Sequence, residues 1–127
     1  MKLSIAVILA TTAIFDYQTQ AVAQCMKVGD IETAQGTVAQ RMFRSAGGEP
    51  LRAFVLTLPA PICMRDDEIE NVDSVRTIEL RTSDRALKEK MQRLVGKTVF
   101  VRGTAFAGLT PYYYSPIVIN ISEIDAR

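Results

Sequence analysis

Residues 96–121 read GKTVFVRGTAFAGLTPYYYSPIVINI. They divide into two strand-like arms and a loop. The first arm, 97–106, is β-branched and aromatic with Gly103 inside it, and the second begins at Ile117, with Ile119 and Ile121 in strict alternation. Between them stand Tyr112, Tyr113 and Tyr114, flanked by Pro111 and Pro116. Two strands joined in this way set the pattern for everything upstream.

Immediately before the first arm the period changes. Leu87, Met91 and Leu94 fall at i, i+4 and i+7, Ser83 stands where a cap belongs, Asp84 follows in the first turn and Gly96 is the stop. One helix is expected there, with Arg85, Lys88, Glu89 and Arg93 on its solvated face, plugging one end of a barrel rather than binding anything. Upstream, VRTIEL at 75–80 reads as a strand, and LRAFVLTL at 51–58 as another with Phe54, Leu56 and Leu58 on one face. Pro59 and Pro61 are expected to end it, since proline cannot donate to a ladder. Residues 31–43, IETAQGTVAQRMF, form the first strand, with Gly36 marking a bulge or bend. The connection RSAGGEP at 44–50 is turn-rich, and the acidic run RDDEIENVD at 65–73 lacks the spacing and central glycine of a calcium loop, so it reads as a solvated connection.

The order is strand, strand, strand, helix, strand, strand. The fold expected is mainly β, a β-barrel with one helix, resembling the OB-fold: a five-stranded Greek-key barrel in the order β-β-β-α-β-β. A five-strand α+β sandwich without closure is the alternative.

At the N-terminus Lys2 precedes an apolar run from 3 to 15, a polar stretch follows, and Ala21-Val22-Ala23 closes the segment. This is the layout of a secretory signal cleaved before Gln24. The run is about 13 residues, short of the ~20 a spanning helix needs, so no permanent membrane anchor is expected. The chain therefore divides into a signal peptide at 1–23 and one domain at 24–127, periplasmic or secreted. Lipid attachment at Cys25 is the alternative, against which Gln24 stands where lipoproteins want a small residue. Export lets thiols pair, and the mature chain has only Cys25 and Cys63. One disulfide is possible, closing a loop of about 39 residues and contributing about 4 kcal/mol in the chain-entropy model.

Composition narrows the function. Among 127 residues there is no histidine, which removes the usual general base and the commonest metal ligand. No zinc site can be assembled from two paired cysteines, and no Ser, Thr or Cys has a histidine base. Carboxylate pairs can act alone, yet nothing in the sequence brings two into one cleft. The chain is read as non-catalytic, without cofactor or metal. A net charge of +1 provides no field for a polyanion, which counts against nucleic acid.

PICM around Cys63 and GKTVFVRGTAFAGLTPYYYSPIVI resemble an uncharacterised family of small exported bacterial domains, classed as a domain of unknown function. Its members carry a proline and cysteine after the second strand, a Gly-x-x-Val-x-Val-x-Gly strand, and a histidine-rich loop ending in Thr-Pro before an apolar strand. Here the loop has Tyr112, Tyr113 and Tyr114 where those members carry histidines, and the connection after the first strand is shorter. No metal role transfers, and the family label implies no activity.

OB-folds take ligands between the loop joining strands one and two and the loop joining strands four and five. Those loops are 44–50 and 107–115. Tyr112, Tyr113 and Tyr114 in the second, and Arg41 and Arg44 at the first, are the candidate ligand contacts, because aromatic faces beside guanidinium groups suit stacking. Extended backbone puts Tyr112 and Tyr114 on one surface and Tyr113 on the other. Two readings follow. One is an exported binding or interaction module for an unidentified protein, glycan or small molecule. The other is an OB-type binder of single-stranded nucleic acid or oligosaccharide through the tyrosine loop. Simple packing of the tyrosines on the barrel rim competes with both.

Overall fold

The computed structural model describes residues 25–66, 71–110 and 112–127. The export signal and cleavage site expected at 1–24, the centre of the acidic connection at 67–70, and Pro111 lie outside the described residues.

Six strands and one helix follow in order: β1 Cys25–Lys27, β2 Ile31–Arg44, β3 Pro50–Arg65, β4 Val72–Arg81, α1 Arg85–Arg93, β5 Thr98–Ala107 and β6 Ile117–Ala126. β2, β3 and β4 form an antiparallel meander. After the helix, β5 returns to the free side of β2, and β6 lies antiparallel to β5 and parallel to β4. The pairings thus run β3-β2-β5-β6-β4 and return to β3. This is the strand order of an OB-like barrel, set by hydrogen-bonded pairs.

Val38, Leu56, Ile78, Val99, Val101, Ile119 and Ile124 fill the interior, and Met91 from α1 is buried against them. The expected plug is therefore in place. Its cap lies one residue later than the sequence predicts: Asp84, not Ser83, accepts a hydrogen bond from Leu87 N at 3.1 Å. Both residue types cap well, and the side chain that reaches the third backbone N–H is the one the turn selects. Gly96, at φ +86°, ends the turn as expected.

Gly36 and Gly103 mark two different kinds of corner. At Gly103 the β5–β6 register shifts, and a Cβ there would collide with Asn120 O and Ile121 Cα. At Gly36 a Cβ would collide with the carbonyl of Thr57, and the missing side chain lets β2 pass close to β3 as it changes partner from β5 to β3.

Two expectations are corrected. Pro59 and Pro61 do not end the second predicted strand, because β3 continues to Arg65. Pairing with β2 stops at Thr57, and the register with β4 shifts between Thr57 and Ile62, so the prolines sit where no ladder donor is required. The strand count is six rather than five. The continued β3 gives β1 an edge to join in parallel, with Cys25 opposite Cys63, Met26 opposite Met64 and Lys27 opposite Arg65. Cys25 and Cys63 form the disulfide, with Cα atoms 4.5 Å apart. Met26 and Met64 are buried beside it.

Candidate functional site

Four consecutive residues of β3, Ala53 to Leu56, are buried, and so are three of β4, Ile78 to Leu80. Side chains alternate across a strand, so such runs mean that both faces of the sheet are covered here. The barrel core covers one. On β4 the tyrosine loop covers the other.

Glu79 is the centre of that second contact. Its neighbours Ile78 and Leu80 are core residues, which turns Glu79 outward, yet its side chain is only 2% exposed. A carboxylate so placed needs charged or hydrogen-bonded partners. One oxygen accepts from Arg81 Nε at 2.6 Å and the other from the backbone N–H of Tyr114. Arg81 then extends the contact: Nη2 donates to Tyr112 O at 2.7 Å, and the guanidinium lies 4.3 Å from the centre of the Tyr113 ring. Bonds of this kind, with one partner charged, are about twice as strong as neutral ones. Farther along, the Ser115 hydroxyl donates to Thr77 O at 2.9 Å and accepts from Ile117 N at 3.2 Å. At the base of the loop Gly108 N donates to Pro116 O, and a Cβ at Gly108 would strike Ser115 O and the Tyr113 side chain. The outward side of β4 thus supplies three successive anchors, Thr77, Glu79 and Arg81.

The three tyrosines are set apart by this docking. Tyr113 lies between Arg81 and the edge of Phe106, ring centres 5.7 Å apart, and is half-buried. Tyr114 meets Phe43 of β2 edge to face at 5.8 Å and remains 39% exposed, and Tyr112 is 54% exposed. Neither Arg41 nor Arg44 has a hydrogen bond to the tyrosine loop among the described residues. Arg44 folds onto its own turn, Nη1 donating to Gly48 O at 2.9 Å, and Arg41 is exposed with a long contact to Gln40 O at 3.5 Å.

A cleft of about 450 Å³ opens beside the docked loop. Tyr112 and Phe43 line it together with Arg52 of β3, Arg81 of β4, and Lys88 and Gln92 of α1. Arg41, Arg44, Tyr113 and Tyr114 do not line it. The helix therefore lines this cleft as well as packing Met91 on the core. Sequence reasoning also passed over Glu79, Arg81 and Arg52. The alternation in VRTIEL places Glu79 opposite the core residues, but only the loop, 35 residues away, makes that side an interior. Among the described residues no group of three or more His, Cys, Asp and Glu side chains is placed to hold a metal ion, and no helix is long and apolar enough to cross a membrane.

Residues 77–125 match the model of a family described as Domain of unknown function (DUF4431). The matched segment starts at Thr77 and includes Glu79, Arg81, the helix and the whole tyrosine loop, so the loop and its anchors lie together inside it. No curated protein matches the chain. Among solved structures, a small single-stranded DNA-binding protein from Streptomyces coelicolor is similar at 18% identity and a TM-score of 0.47, over 78% of this chain and 94% of that one. The fold rests on the strand order described above rather than on that likeness.

Proposed function

We propose that the protein is an exported, non-catalytic binding module whose contact surface is the tyrosine loop and the cleft beside it. The observation that carries this reading is the docking of the loop. Arg81, Glu79 and Ser115 satisfy its backbone groups and fix its path, which leaves Tyr112 and Tyr114 exposed, Tyr112 in the wall of a cleft of about 450 Å³. A concavity of that size, with aromatic and other apolar side chains beside polar and charged ones, suits a small ligand that has both kinds of surface. Holding the rings in place before binding lowers the entropy cost of the complex.

Export is supported by the signal layout at 1–23 and by the Cys25–Cys63 bond, which is in keeping with an oxidising compartment. Absence of histidine supports the non-catalytic part. Binding of single-stranded nucleic acid or oligosaccharide by stacking on Tyr112 and Tyr114 is the second reading, favoured by the exposure of those two rings.

Expression of the full reading frame tests the proposal in two steps. Mass measurement of the exported protein is expected to show residues 1–23 removed and no alkylatable thiol. Titration of the labelled protein with single-ring aromatic compounds is expected to move the amides of Tyr112, Tyr114 and Gln92 in a saturable way. Retention of residues 1–23 in the cytoplasm overturns export, and shifts confined to other faces overturn the site.

A further inference from the structure

The charge in the cleft points to the chemistry of its ligand. Arg52 and Lys88, on β3 and α1, line the same cleft, and neither has an ion-pair or hydrogen-bond partner for its side chain among the described residues. Three other surface cations are engaged: Lys90 pairs with Asp125 at 2.8 Å, Arg65 with Asp73 at 3.3 Å, and Arg44 bonds its own turn. The carboxylate in the cleft wall, Glu79, is already matched by Arg81. The cleft therefore holds two positive charges in excess, in a chain whose net charge is only +1. Its floor is apolar, from Phe54, Leu80 and Met91, and Phe43 and Tyr112 add aromatic surface.

Resting on the reading of the cleft as the binding site, we propose that its ligand is a small organic anion: a flat, apolar body bearing a carboxylate or phosphate, the anionic group held between Arg52 and Lys88. Two uncompensated cations in one concavity focus potential on an anion, and a guanidinium paired with an ammonium accepts either oxyanion. The ring lies on Phe43 and Tyr112, above the apolar floor. A nucleic-acid strand fits less well. It needs a track of successive cations, whereas the net charge of this chain is only +1.

The exported full-length product, isotope-labelled, is titrated with phenyl phosphate, phenylacetate, phenol and inorganic phosphate, followed by the amides of Gln40, Thr82, Gln92 and Tyr112. Phenyl phosphate or phenylacetate is expected to saturate those shifts at least about tenfold more tightly than phenol or phosphate, and the stronger of the two identifies the acid group. Arg52→Gln with Lys88→Gln is expected to weaken the better probe by about tenfold or more, and raising salt to about 0.5 M to weaken it in the parent protein. Equal binding of phenol overturns the anionic requirement while leaving the cleft as a binding site. Equal binding of phosphate overturns the aromatic part. If no probe moves cleft amides, both the ligand class and the site fall. Tighter binding of an eight-nucleotide thymidine strand, with a steep salt slope, overturns the small-ligand assignment in favour of a strand. Both substituted side chains are exposed, and if the double variant fails to fold, Lys88→Gln alone and the salt series decide.

Discussion

Glu79 is a nearly solvent-free carboxylate at the boundary between a sheet and a loop, and its two partners define what it does. Arg81 Nε and the Tyr114 amide hold its oxygens, and Arg81 in turn holds the Tyr112 carbonyl and the Tyr113 ring. Glu79→Ala removes the acceptor from both donors. A loss of about 2 kcal/mol is expected, reduced from the cost of a fully buried pair because Arg81 remains partly in water. The denaturant midpoint reads it, and faster hydrogen exchange at Tyr114 should accompany it. An unchanged midpoint with unchanged exchange would sink the account of the loop anchor. Gly103 tests a different kind of constraint. Gly103→Ala forces a methyl against the backbone of Asn120 and Ile121, which cannot rotate away as a side chain can, and about 3 kcal/mol of destabilisation is expected by the same measurement. Gly103 was legible as a special position in the sequence, since glycine inside a strand pattern marks a bulge. Glu79 was not, because a charged residue opposite a core face normally points into water.

The helix and β3 show where local rules work and where they stop. The spacing of Leu87, Met91 and Leu94 fixes the helix and its inward face, which the structure reproduces. The cap distinguishes two neighbouring candidates. Asp84→Ala should cost about 1 kcal/mol, while Ser83→Ala, an exposed residue with no side-chain bond among the described residues, should leave the thermal midpoint within error. The opposite ranking would return the cap to Ser83. In β3 the prolines were a sound stop signal for a strand paired on both sides. The signal fails because residues 58–61 lie between the end of one ladder and the resumption of the other. Whether a proline interrupts anything depends on the partner strand, which a local window does not contain.

At the scale of the whole molecule, the Cys25–Cys63 bond holds β1 to the far half of β3, outside the closed ring of strands. Reduction, or Cys25→Ser with Cys63→Ser, is expected to lower stability by about 4 kcal/mol. The denaturant midpoint with and without reductant checks this, and the amides of Met26 and Lys27 should exchange first. Coincident midpoints would mean that β1 is held by its contacts alone.

By itself the sequence determined the class of fold, through strand and helix periods and two strand glycines. It determined the cysteine pairing, through there being only two, and the loss of histidine chemistry. Only the tertiary structure decided that the tyrosine loop lies down on the outer face of β4, that Glu79 is buried, and that Arg52 and Lys88 line one cleft. Periodicity states which way a side chain faces within its own element. What stands opposite that face is fixed by chain closure, which here brings Arg81 to a carbonyl 31 residues away and Glu79 to an amide 35 residues away.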